Sequence, residues 1–394
     1  MKKKLISLSC LASLALSSGY AIAAETEELK ILKAEVAKLK EDVQRAIEWK
    51  EPSTLIHMAG YSDIGYTDGK HSANGDFSVG SLAPIFHYQY RDFVMLESEL
   101  SIEIEPNGDT KTVLEYLTID MFLNDYVTFL GGKFLSPVGQ FRQNIHPSWI
   151  NKLPSAPPGF GHDGAAPVSD IGMQVRGGYP IGGVRSNYSF YISNGPELTT
   201  ALNGSEYELD GVRGEATNVD ADNKKVYGGR FGIIPTAGLE IGVSGATGKA
   251  TVTAIEGTGG GPLGNEEARD YYVVGFDFAW HLNSFSLRGE FVNTEVGKAD
   301  TGVSASLGGE WSTWYVQASY QFFPSKFEPV LRYTNYDSIE DSKDQTQIAI
   351  GLNYLFNSSV IGKIAYEFND GVNDGVTNSD VDHDRILVQL AYGF

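Results

Sequence analysis

The closing stretch of the chain, Ile386 to Phe394, alternates strictly. Ile386, Val388, Leu390, Tyr392 and Phe394 fall on one side of an extended backbone, and Leu387, Gln389, Ala391 and Gly393 on the other, because strand side chains point to opposite faces with period two. One face is apolar and the other is small or polar, Leu387 apart. The same rhythm recurs upstream. Val94, Leu96, Leu100, Ile102 and Ile104 make one apolar set, and Tyr188, Phe190 and Ile192 another. Tyr272, Val274, Phe276, Phe278 and Trp280 repeat it, followed by Trp314, Val316, Ala318, Tyr320 and Phe322. Ile348, Ile350, Leu352, Tyr354 and Phe356 come next, then Val360, Ile364, Tyr366 and Phe368. The pattern predicts an all-β fold with about sixteen strands from Thr54 onward.

The connections narrow that prediction. Tyr90–Asp92, Leu123–Asp125, Tyr179–Gly183, Pro235–Gly238, Leu282–Ser284, Pro324–Lys326 and Asn357–Ser359 read as tight turns. Longer stretches lie between them, near 67–77, 135–168, 194–224, 249–268, 297–310, 338–344 and 370–383, with a short exception near 106–110. Short turns at one rim and long loops at the other belong to a transmembrane β-barrel. Trp280, Phe285, Phe322, Phe327, Phe356 and Phe394 fall at strand ends beside the short turns, as an aromatic girdle at a membrane surface does. Mean hydropathy is −0.19, a value produced when lipid-facing and water-facing residues alternate. The expected fold is a 16-stranded antiparallel transmembrane β-barrel over 54–394, wide enough to hold water.

The other end is a different kind of sequence. Lys2 to Lys4, an apolar run from Leu5 to Leu16 and the Ala-x-Ala of Ala21–Ala23 read as a secretory signal peptide, 1–24. Its three lysines leave with it, taking the formal charge from −20 to about −23; such acidity argues against nucleic acid as a partner. The only cysteine, Cys10, lies in that leader, so no disulfide or cysteine metal site is expected. Residues 25–51 carry Leu29, Leu32, Val36, Leu39 and Val43 at three- and four-residue steps, the core of a short coiled coil preceding the barrel. Glu28, Glu35 and Asp42 with Lys33 and Lys40 suit pairing across a parallel interface. A single amphipathic helix on the protein's own surface is the alternative. Valine with leucine in the seam leans toward two strands, and three heptads leave the number open.

Parity assigns the pore lining. Glu97, Glu99 and Glu103 face inward on one strand, with Arg176, Arg185, Arg230, Arg288, Glu290, Arg332 and Lys363 inward on others. Either the two signs set up a field across the pore, or they wet the lumen and pair with one another. The long loop 135–168 carries Arg142, His146, Lys152 and Asp163 and is expected to fold into the pore as a constriction, a lid over the mouth being the alternative. The acidic cluster of Asp370, Asp374, Asp380, Asp382 and Asp384 lacks calcium-loop spacing and reads as solvated surface, or as contact with lipopolysaccharide through divalent cations. No His-Glu-x-x-His or Gly-x-Ser-x-Gly occurs, so no enzyme, cofactor or metal centre is expected.

Leader, heptads, strand pattern and terminal Phe394 together resemble Gram-negative outer-membrane porins with an N-terminal coiled coil. The segment Gly131-Gly132-Lys133-Phe134-Leu135-Ser136-Pro137-Val138-Gly139 is similar to the Gly-x-Phe-Lys-x-Pro-Phe-Gly stretch of the phosphate-selective porin O/P and DcaP-like group. The resemblance implies a homotrimer in outer-membrane lipid, with the coiled coil as a periplasmic stalk. It also implies passive diffusion of small hydrophilic solutes, extending to a preference for anions. The acidic stripe departs from a phosphate-selective lining, and no phosphate-binding residue is carried over. The competing expectation is a structural anchor that links the barrel through its coiled coil to periplasmic or peptidoglycan partners.

Overall fold

The computed structural model describes residues 34–40, 54–69, 75–105, 107–161, 164–203, 206–213, 215–255, 266–302, 308–340, 343–371 and 380–394. The chain divides into Met1–Ser53 and Thr54–Phe394. In the first unit residues 34–40 are helical, with Val36 and Leu39 exposed. The leader and the remaining seam residues Leu29, Leu32 and Val43 lie outside the described residues.

The second unit begins with β1 (Thr54–Gly69), β2 (Asp76–Tyr90), β3 (Val94–Ile104), β4 (Thr110–Asn124), β5 (Val127–Leu135), β6 (Ser169–Gly177) and β7 (Arg185–Ser193). A hairpin, β8 (Glu197–Asn203) and β9 (Glu206–Val212), follows. Then come β10 (Val226–Thr236), β11 (Leu239–Ile255), β12 (Arg269–Leu282), β13 (Phe285–Val296), β14 (Gly309–Tyr320) and β15 (Phe327–Asp337). The series ends with β16 (Gln345–Leu355), β17 (Val360–Gly371) and β18 (Arg385–Gly393). Setting β8 and β9 aside leaves sixteen staves of the eighteen-strand sheet. Each runs antiparallel to its neighbours; β7 pairs with β10, and β18 closes on β1 from Gly393 opposite Tyr61 to Arg385 opposite Gly69. Closure removes every edge of the sixteen-stave ring, which a sheet in lipid requires because no water is there to satisfy open backbone groups.

The two-residue rhythm is what orients the staves. On β16, Ile348, Ile350, Leu352 and Tyr354 are exposed on the outer wall while Gln347, Ala349, Gly351 and Asn353 are buried inside. On β12, Tyr272, Val274 and Phe276 point out while Tyr271, Val273 and Asp277 point in. The short-turn rim carries aromatic pairs: Trp280 with Phe285 at 6.3 Å, Tyr320 with Phe322 at 5.1 Å and Phe327 with Tyr354 at 5.0 Å. Each turn named from sequence joins two staves there. Irregularities between Ser62 and Ile64 and between Glu99 and Leu100 bend the wall locally without breaking the ladder.

The sequence pattern did not separate β8 and β9 from their loop. Leu198, Leu209 and Val212 are buried in one apolar cluster with Val226, Ala250 and Val252. β8 also adds in parallel to the long end of β11, Thr251 opposite Glu197. The hairpin is thus docked against the stave extensions at the long-loop rim.

Candidate functional site

After β5 the chain turns inward. Ser136 N–H donates to Val168 O at 3.0 Å, closing the base of a loop, residues 136–168, that folds into the lumen. Apolar side chains seat it. Val138, Phe141, Phe160, Ala165 and Ala166 are buried with Trp311, Tyr315 and Tyr336, and Phe160 meets Tyr315 edge-on at 5.2 Å. Leu153 is buried with Val330, Ala349 and Ala365. Each fully buried large side chain of this kind contributes roughly 1.5–3 kcal/mol. Close approach also demands small inward residues. A Cβ on Gly393 would stand 2.6 Å from the Trp149 ring, and Gly139, at φ +73°, faces the Glu290 carboxylate.

Inward polar residues of the same wall hold the loop backbone. Glu290 accepts from the N–H groups of Gln140 (3.1 Å) and Phe141 (3.0 Å), at the start of a single wide helical turn, Phe141–Ile145. Thr294 and Thr313 donate to the carbonyls of Ala165 and Pro158, both at 2.7 Å. Arg332 donates to Ser155 O (3.0 Å), Ser155 Oγ (2.9 Å) and Ala156 O (3.2 Å). Lys363 donates to Ser148 O and to Gln389, and Asn353 donates to Lys152 O. Lys152 pairs with Glu328 and Ser319. Parity placed Glu290, Arg332 and Lys363 among residues lining open water. The structure buries all three beneath the loop, where they act as its anchors.

The open passage lies between the loop and the wall of β1–β7 with β10 and β11. Three neighbouring hollows that share lining residues mark it, of about 220, 410 and 390 Å³. The first is lined by Glu97, Glu99, Tyr116, Gln174 and Arg176 facing Gln143, Asn144, His146 and Pro147 of the loop. The second has Asp63, Glu103 and Glu115 facing Arg142, His146 and Ser148. The third has Arg176, Asn187, Arg230 and Glu240 facing Gln140, Gln143 and Asn144. His146 leans toward Glu99 at 3.6 Å. Arg142 is buried in the loop, and burial pulls its guanidinium below the ordinary value while Glu115 opposes that shift. Asp163 lies outside the described residues.

The wall charges differ in how they are tied. Glu99 accepts from Tyr61 Oη at 2.8 Å, and Glu97 accepts from Tyr116 Oη at 3.2 Å with His87 Nε2 at 3.3 Å. Glu103 accepts from Ser101. Arg230 is buried in a two-pronged pair with Asp277 (2.8 and 2.6 Å) and also reaches Glu240 (3.0 Å) and Asn187 (2.8 Å). Arg176 holds Asp120 at 2.5 Å yet leaves 42% of its side chain exposed to the lumen. Arg288 faces inward and half-buried, with no hydrogen bond or ion pair among the described residues. Arg185 stands exposed at the first position of β7, near the short-turn rim and away from the hollows. Asp63, Asp120, Tyr116, Gln174 and Glu115 escaped the sequence reading; inward parity marks the first four, and the bulge near Glu99 obscures the last. Among the described residues no group of His, Cys, Asp or Glu is arranged to hold a metal ion.

A family model described as phosphate-selective porin O and P matches residues 198–394, half of the chain. No curated protein sequence matches. Among solved structures, the anion-selective porin from Comamonas acidovorans is similar at TM-score 0.56 and 14% identity, covering 86% of this chain and 100% of that one. The outer-membrane channel DcaP of Acinetobacter baumannii is similar at TM-score 0.52 and 12% identity, covering 87% and 98%. OmpT of Vibrio cholerae in its trimer form is similar at TM-score 0.52 and 12% identity, covering 87% and 100%. At these identities the likeness is one of fold.

Proposed function

The chain belongs to the phosphate-selective porin O and P family and is an outer-membrane channel for small solutes; from that premise we propose that the inward loop 136–168 sets its conductance and that the passage prefers anions. The carrying observation is the loop seat. Inward side chains of β13–β17 and an apolar cluster hold the loop to one side of the lumen, and the hollows of the passage lie along the other. Fixed charges in a narrow, partly desolvated passage act on ions far more strongly than in bulk water.

The anion preference draws on the family's description and on the anion-selective porin of similar fold. Within the chain it is supported by the guanidinium of Arg176, exposed in the passage, while Glu290, Asp277 and Glu328 are already satisfied by donors. Trimeric assembly is proposed from the trimer form of the similar OmpT. The N-terminal segment is proposed as a periplasmic coiled-coil stalk, consistent with the helical residues 34–40. Contact of the acidic loops with lipopolysaccharide belongs to the same proposal.

Planar-bilayer recordings test the reading. Deleting residues 143–156 is expected to raise single-channel conductance, and reversal potentials in a chloride gradient are expected to favour the anion. Unchanged conductance would remove the constriction role, and a cation-favouring potential would remove the anion preference.

A further inference from the structure

The hollow between β3–β6 and the loop carries both charge signs at separated ends. At one end stands Arg176, fixed by Asp120 and still exposed. Beside it Gln174, only 2% exposed, presents a carboxamide whose Nε2 has no hydrogen-bond partner among the described residues. Gln174 and Arg176 alternate on β6, opposite Leu130 and Thr128 of β5. At the other end stand Glu97 and Glu99 on β3, with Glu97 opposite Thr118 of β4. Three strand spacings separate β3 from β6, about 14 Å along a curved wall at ~4.8 Å each, and the long side chains from both ends line one hollow of about 220 Å³. Ile85, Leu135 and Pro147 also line the hollow, Ile85 opposite Glu99, an apolar flank where a channel for bare ions needs none.

Buried polar groups without partners cost stability unless something in the lumen satisfies them. Water serves for one hydrogen bond. It does not use a cation, an anion site and an apolar flank at once. We propose that this hollow is a binding niche for small zwitterions of the amino-acid type. The carboxylate is taken by Arg176 with Gln174, the ammonium by Glu97 and Glu99, and the side chain lies along Ile85, Leu135 and Pro147. The inference rests on the channel reading and specifies a solute class for it. Inorganic ions sample the whole lumen, whereas the niche selects by two ends at a fixed separation.

Three probes share one carbon skeleton and separate the ends: leucine (zwitterion), 4-methylpentanoate (anion) and leucinamide (cation). Each is added to one side of a bilayer holding single open channels in potassium chloride, and block of the current is titrated. Leucine is expected to block at least about tenfold more tightly than either singly charged probe, the factor set by one charge-assisted hydrogen bond. Arg176→Gln is expected to bring leucine down to the level of leucinamide, and the double variant Glu97→Gln, Glu99→Gln to the level of 4-methylpentanoate. Equal block by 4-methylpentanoate and leucine would make the hollow a plain anion site. Equal block by leucinamide and leucine would make it a plain cation site, and either result overturns the proposal. No block by leucine in a channel that conducts overturns the niche while the channel reading stands; a protein that does not conduct overturns the channel reading itself. Conductance of each variant before probe is added shows that it folds and inserts.

Discussion

Arg332 ties one inward stave to the middle of the lumen loop, and its removal has a calculable consequence. Its guanidinium is fully buried and donates three hydrogen bonds to Ser155 and Ala156. In Arg332→Leu those three bonds vanish. At about 1 kcal/mol net apiece the loss is about 3 kcal/mol, which shifts the seated-to-unseated ratio of the 152–158 segment about a hundredfold. Arg332 also stands 3.9 Å from the buried Glu367, and the penalty of leaving that carboxylate behind stays small, because Glu367 keeps Arg385 at 2.6 Å. The stave itself is held by backbone ladders on both sides, to β14 and β16. The barrel should therefore fold and insert while the loop works loose locally. Two assays read this. Open-channel noise should rise, with brief substates of higher conductance. Tryptic cleavage after Lys152, which in the parent is held by Glu328 and Ser319, should become detectable in the intact reconstituted channel. Parental noise together with parental resistance to trypsin would refute the assignment of Arg332 as an anchor.

Further outcomes follow from the same geometry. Gly393→Val places a side chain against the Trp149 ring; it is expected to lower the heat stability of the folded barrel by about 1–3 kcal/mol, as overpacking does, read from the temperature at which the folded band is lost on gels. Arg176→Gln combined with Arg288→Gln is expected to move the reversal potential toward cations, and no movement would place the selectivity elsewhere. Ile350→Arg sets a charge on the lipid face and is expected to cost about 2–4 kcal/mol near the membrane midplane, measured by denaturant unfolding in vesicles. Removal of residues 25–50 is expected to leave conductance intact while weakening trimers in detergent, checked by size-exclusion chromatography with light scattering.

The outer surface of the barrel was legible because it depends on one local variable, side-chain parity. Ile348 to Phe356 and Tyr272 to Phe276 face out as alternation dictates, and the turn residues mark where parity resets. What covers an inward residue is a long-range matter that parity does not reach. Glu290, Arg332 and Lys363 are inward by sequence, yet the segment that buries them lies about 150 to 215 residues away in the chain. The hairpin β8–β9 escaped for a similar reason: its strands are specified by docking on the extension of β11, not by a run of alternating residues. Arg185 shows the limit at a strand end, where correct parity still leaves a side chain at the rim.

The most direct test of lipid outside and water inside is single-cysteine labelling along β3 in a Cys10→Ser background, with the protein reconstituted in vesicles. Cysteines replacing Glu97 and Glu103 should react rapidly with a charged, membrane-impermeant thiol reagent, whereas cysteines replacing Leu96 and Ile102 should resist it. Equal rates at all four positions, or the reverse order, would contradict a barrel whose alternate residues face lipid and a solvated lumen.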